Sequence, residues 1–281
     1  MDVIRQSRWT HSRTSENIMT RVHLFEFTDL TWYPQTFRTI QTDYLQLASS
    51  LGSGHKNLIP LLINALQKAK TSNIIDLCSG GMGPWKNLQK QLEKEGVLIN
   101  IKLTDKYPNL DSIRRISDLS NSRIRYISDS IDATNVPGQL EGMRTIFEGF
   151  HHFKPEQARQ ILMDAQEKGR SIGVFDASLI PPFGIILLVL SPIITLLTYL
   201  FATRFIRPFS LSRLFWTYIL PIVPLATCWD GIVSLIRVYS VEELNNLVNP
   251  IKNTKYIWET GLVSTGTPIF NFTYVVGYPN A

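Results

Sequence analysis

The stretch Asn73–Trp85, NIIDLCSGGMGPW, decides how this chain reads. A short apolar run reaches an acid, Asp76, and then opens into glycines. An apolar run of about four to eight residues with turn residues behind it predicts a buried parallel strand. Glycines at the next turn let the backbone approach a ligand, and the following helix points its N–H groups at the same place. In the dinucleotide fingerprint the acid lies roughly 20 residues beyond the glycines. Here it stands before them, so it faces the ligand and predicts one that carries positive charge.

Outward from this stretch the chain alternates. Asn57–Lys70 places Leu58, Leu61, Leu62, Ala65 and Leu66 at helical spacing, and Pro84 starts a helix running to about Glu95. Leu98–Thr104 reads as a second strand stopping at Asp105, Ile124–Ser128 as a third, and Arg144–Phe147 as a fourth ending at Glu148. Pro155–Lys168 is a helix with Ala158, Ile161, Leu162 and Ala165 on one face, and Ser171–Phe175 is a fifth strand closing on Asp176. Val241–Val248 reads as a helix, and Lys255–Glu259 and Phe270–Gly277 as further strands. Strands alternating with helices predict an α/β fold, a Rossmann-like sheet with helices on both faces. Its ligands bind at the carboxyl ends of the strands, where these acids fall.

The pattern breaks once. Leu179–Thr203 is 25 residues without a charge, and Leu214–Trp229 is another 16. Between Leu179 and Trp229 the only charged residues are Arg204, Arg207 and Arg213. This block lowers the charged fraction of the 281-residue chain to 18%, against about 25% for an ordinary soluble domain. The formal net charge of +5 suits anionic lipid and is too diffuse to argue for nucleic acid. Two cysteines, Cys78 and Cys228, make no disulfide framework and point to a reducing compartment; no Cys/His spacing suggests a metal. The first twenty residues are polar and carry no apolar signal segment.

With these residues in view, the chain resembles the class I S-adenosylmethionine-dependent methyltransferases, well over Asn57–Asp176 and loosely over the last strands. The resemblance implies S-adenosyl-L-methionine as cofactor, a sulfonium that suits the acid before the loop. It implies that Asp76, Cys78, Ser79, Gly80, Gly81 and Gly83 bind the methionine portion, that Asp105 holds the ribose hydroxyls, and that Asp132 and Ala133 contact the adenine. The loop Glu148–Phe153 then lines the transfer site, with His151 or His152 as a base for a weakly nucleophilic acceptor and Asp230 and Arg237 near that acceptor. Two departures stand out: Cys78 and Met82 occupy positions where the family's loop has glycine. Trp32, Tyr33 and Tyr44, in an aromatic segment upstream, are candidates for closing off the sulfonium.

The resulting division is a mobile tail over 1–22, a helical cap over the cofactor site at 23–56, a core at 57–178, a membrane-associating insertion at 179–229, and a return helix with the last strands at 230–281. Leu179–Thr203 is long enough to span a bilayer, but Pro181, Pro182 and Pro192 break it, and a spanning hairpin would carry its arginines to the far side. The favoured arrangement is therefore peripheral or monotopic, on the cytoplasmic side, with a spanning hairpin or a soluble cap as the alternatives. The function expected is methyl transfer to a lipophilic small molecule or lipid at the membrane surface. The competing reading is a catalytically inactive methyltransferase-like module that anchors a partner there. The oligomeric state is left open.

Overall fold

The computed structural model describes residues 21–51, 54–108, 113–114, 116, 123–207 and 209–280. Residues 1–20 of the expected tail lie outside these. Arg21 and Val22, assigned to the same tail, are seated: the Val22 amide donates to the Ile236 carbonyl at 3.2 Å.

Seven strands form one sheet in the order β3-β2-β1-β4-β5-β7-β6. They are β1 (Asn73–Asp76), β2 (Asn100–Asp105), β3 (Ile124–Ser130), β4 (Met143–Phe147), β5 (Ile172–Leu179), β6 (Tyr256–Ser264) and β7 (Phe270–Pro279). β1 to β5 run parallel, and β7 pairs antiparallel with both β5 and β6. β5 is longer than its sequence pattern predicts because its ladder with β7 continues to Leu179, opposite Phe270. Asp176 therefore lies inside a strand, not at its end.

Alternation in β1 divides the core. Ile74 packs on one face with Leu62 and Leu66 of α2 (Ile59–Ala69) and Trp85, Leu88 and Leu92 of α3 (Trp85–Lys94). Ile75 faces the other side, toward Ile161 and Leu162 of α4 (Pro155–Glu167) and Leu244 and Leu247 of Val241–Val248. The chain leaves β1 for β2 and β3 on one side, then returns to β4 on the other. That reversal opens a crevice between the carboxyl ends of β1 and β4, the position where open α/β sheets take ligands.

Upstream, α1 (Gln35–Leu51) is shorter than the aromatic segment that predicts it. Residues 24–34 are mostly irregular, with one 3₁₀ turn at Phe27–Asp29. After β5 comes α5 (Phe183–Ala202), then a short turn of helix, Leu211–Leu214, running into a π turn, Phe215–Ile219. α6 (Ile222–Arg237) follows, bent 75° from the segment before it, and α7 is Val241–Val248. The boundary expected at 229/230 falls inside α6, because buried residues recur along that helix to Arg237.

Candidate active site

Asp76 ends β1 beneath the glycine loop rather than facing outward. Its Oδ2 accepts from Ser79 Oγ and its Oδ1 from Thr145 Oγ1, both at 2.6 Å, and Thr104 Oγ1 donates to its carbonyl at 2.9 Å. Burial pushes this carboxyl up to about 6, against the opposing hydroxyl hydrogen bonds. The acid thus braces the turn by tying three strand ends together, a role for which Thr104 and Thr145 carry no distinguishing sequence signal.

The turn itself is left-handed at three places: Cys78 (φ +57°), Gly80 (φ +52°) and Gly83 (φ +54°). Cys78 keeps the conformation that glycine serves elsewhere, at a cost of roughly 1–2 kcal/mol. Burial pushes its thiol well up, so it is no nucleophile at neutral pH. A methyl group built at Gly80 or Gly83 meets nothing within 4 Å, so open space lies over both. At Gly81 it meets Gln46 Oε1 at 3.0 Å and Thr42 Cγ2 at 3.1 Å, and Gln46 Nε2 donates to the Gly83 carbonyl at 3.2 Å. One face of α1 therefore rests on the glycine loop.

Two of the three aromatics expected to close the site are taken up by other contacts. Tyr44 stacks on Tyr199 of α5 at 4.0 Å, Tyr33 packs between Phe27 and Phe37, and Trp32 is exposed. Helical phase explains Tyr44: it lies about 200° around α1 from Thr42.

Asp105 ends β2, and its two oxygens accept from the Gly80 and Tyr107 amides at 2.9 and 2.8 Å. Burial raises its pKa against those two bonds. Each oxygen keeps a second lone pair for another donor. Asp132 accepts from Thr134 and from Lys106 Nζ at 2.8 Å; against some burial these bonds hold its carboxyl at about 2, and Ala133 beside it is buried. Glu148, at φ +50°, sets its carboxylate 3.6 Å from His55 Nε2.

The loop after β4 touches the glycine turn directly, since a methyl at Gly149 would lie 3.3 Å from Cys78 Cβ. Two residues on, the rings of His151 and His152 lie 4.5 Å apart, tilted by 30°. His151 Nδ1 lies 3.4 Å from Asp176 Oδ1, and His152 Nδ1 is 2.7 Å from Asp29 Oδ1. Burial alone lowers the His152 pKa, but Glu26 and Asp29 overcome it and raise it to about 9. Arg237, fully buried, bridges Glu26 at 2.8 Å and Asp29 at 2.7 Å and donates to the His152 carbonyl at 2.7 Å. Arg21 reaches the same loop through the Phe153 carbonyl at 2.9 Å.

Asp230 is not part of this group. It accepts from the Phe27 amide at 2.7 Å and Gln41 Nε2 at 3.1 Å, and burial pushes it up to about 6. Its contacts make it a strut between α6, α1 and the N-terminal segment.

No protein-family model and no curated protein sequence matches the chain. Among solved structures it is similar to human N-acetylserotonin methyltransferase in complex with S-adenosylmethionine, at 12% identity and a TM-score of 0.48, over 91% of this chain and 63% of that one. It is also similar to LepI in complex with the same molecule, at 12% identity and 0.43, over 77% and 46%. A third is the pyocyanin biosynthetic protein PhzM, at 14% identity and 0.44, over 80% and 54%. The chain thus spans about half to two thirds of the length of these structures, and the likeness goes no further than the fold.

Proposed function

We propose that the protein is an S-adenosylmethionine-dependent methyltransferase that acts on a lipophilic small molecule or lipid at a membrane surface. The observation that carries the reading is the crevice at the β1/β4 reversal, where a left-handed glycine turn with open space above Gly80 and Gly83 is clamped to the Asp105 carboxylate.

The residues present fit the cofactor. Asp105 has lone pairs left for two ribose hydroxyls, the space over the turn would take the methionine portion, and Asp132 and Ala133 are the residues that would meet the adenine. When bound, the cofactor supplies an electrophilic methyl group. The chain's own part is to exclude water and to align an acceptor for in-line displacement, which is where much of the acceleration in such a reaction comes from. Asp76 serves by holding the turn rigid.

The insertion supports membrane action. Among the described residues, Phe183–Phe205 is one helix long and apolar enough to cross a bilayer, with a mean hydropathy of 2.5 and little of it buried. Val189, Ile193, Phe201, Leu211, Ile219 and Leu225 are each exposed by 60% or more, far beyond the scattered apolar exposure of a soluble surface. Both ends of α5 nonetheless touch the rest of the protein: Gly184 packs on Leu179, and Tyr199 stacks on Tyr44. The turn beyond it is tied back as well, because Arg213 pairs with Asp43 of α1 at 2.6 Å. A spanning hairpin would carry that turn about 30 Å away. The geometry therefore favours an in-plane anchor with the exposed Arg204 and Arg207 at the headgroups, each adding about 1 kcal/mol of attraction to anionic lipid, while Arg213 is buried against Asp43.

Calorimetric titration with S-adenosylmethionine tests the enzyme reading. Binding to the parent chain, weakened by about 1.5–3 kcal/mol in Asp105→Ala, is expected from loss of hydrogen bonds to a charged acceptor. Absence of binding, or equal binding by the variant, would refute it.

A further inference from the structure

Around the loop after β4 lie three carboxylates, those of Glu26, Asp29 and Asp176, and two guanidiniums, those of Arg21 and Arg237. His151 is 5% exposed and its Nε2 has no hydrogen-bond partner. That nitrogen faces Glu26 Oε1 at 3.8 Å, while His152 Nε2 faces Glu26 Oε2 at 3.7 Å. The three ligand atoms lie within 4.8 Å of one another. An ion with ligand distances of about 2.1 Å in a tetrahedral shell separates its ligands by about 3.4 Å. The three side chains, whose ligand atoms lie within 4.8 Å, would close in on an ion by up to about an ångström, with each imidazole now nearest a different Glu26 oxygen.

The outer nitrogens strengthen the case. Each imidazole turns its Nδ1 to a different carboxylate, His151 to Asp176 at 3.4 Å and His152 to Asp29 at 2.7 Å. A carboxylate on the far nitrogen is the arrangement that orients histidine ligands and raises their basicity. Arg237 and Ser234 do not block the site, since a carboxylate has about four acceptor positions and they take one on each Glu26 oxygen, Oε1 and Oε2 respectively.

We propose that Glu26, His151 and His152 form a divalent transition-metal site beside the glycine turn. Two imidazoles and one carboxylate suit zinc, cobalt or ferrous iron better than magnesium or calcium, and they leave coordination positions open. An acceptor oxygen or sulfur bound there loses its proton more readily, and the resulting anion offsets the charge the metal brings. The assignment of that acceptor rests on the methyltransferase reading; the metal site does not. Cys/His spacing could not reveal it, because Glu26 lies 125 residues from His151.

The test is titration of the full-length protein with Co²⁺, read by its visible spectrum, and with Zn²⁺ by calorimetry. One ion per chain is expected, with a low-symmetry cobalt spectrum. His151→Ala and His152→Ala should lose the spectrum, while Asp29→Asn and Asp176→Asn should keep it and weaken binding about 10–100-fold. Glu26→Gln is informative only alongside its melting curve, since it also strips Arg237 of a partner; the two histidine variants keep the proposal testable if it does not fold. Absence of stoichiometric binding, or an unchanged spectrum in both histidine variants, overturns the site. S-adenosylmethionine titration of the same samples separates the two failures: cofactor binding without cobalt binding removes the metal alone, and the reverse removes the methyltransferase reading alone.

Discussion

At the scale of single residues, Asp76 is the position where sequence and structure diverge most usefully. The acid before the glycines was expected to face a cationic ligand, but its two oxygens are taken by Ser79 and Thr145. Its folded pKa, about 6, lies above the ordinary aspartate value of 3.8, so its contribution to stability is present below about pH 4 and is lost as pH rises through 6. Asp76→Asn should remove that dependence. In urea denaturation at a series of pH values, the stability of the parent minus that of the variant should fall across this window; a flat difference would mean the carboxyl titrates normally. The acids and glycines at the strand ends were legible because strand length, apolar runs and turn residues are local. The partners that decide what those acids do were not. Thr145 lies 69 residues from Asp76, and Glu26 and Asp29 lie more than 120 residues from the histidines they face.

Among the elements, α4 matches its sequence pattern closely, predicted over Pro155–Lys168 and observed over Pro155–Glu167, whereas β6, predicted over Lys255–Glu259, runs on to Ser264 along β7. Two other mismatches have tertiary causes. β5 outruns its apolar stretch because β7 supplies a partner as far as Leu179, and α1 starts at Gln35, eleven residues into the aromatic segment Leu24–Leu45, because Phe25 and Phe27 are held by contacts with α6. The Asp43–Arg213 pair that fastens the insertion to α1 was likewise invisible, its members being 170 residues apart. Both side chains are buried, so Asp43→Ala should destabilise the protein by about 3–5 kcal/mol by leaving a guanidinium without its carboxylate. Replacing both by Leu and Met should restore most of that loss. A thermal melt that leaves Asp43→Ala level with the parent would show that the pair contributes nothing.

For the molecule as a whole, the arrangement predicts which side of a bilayer the arginine turn occupies. Single cysteines at Ser210 and Ser212, with Cys78 and Cys228 replaced, should resist an impermeant thiol reagent added outside intact cells and react once the membrane is opened. Labelling from outside would establish a spanning hairpin. The same architecture ties two binding events together through α1. Thr42 and Gln46 on one side of that helix lie on the glycine turn, while Ile40, Asp43 and Tyr44 hold the insertion. A rigid rod gripped at both sides cannot shift at one without being felt at the other. Thermodynamic reciprocity then demands that any factor by which vesicles tighten S-adenosylmethionine binding is the factor by which S-adenosylmethionine tightens partitioning onto vesicles. Equal, non-unit factors measured in the two directions would make α1 a transmission element; factors of one in both would make it only a brace.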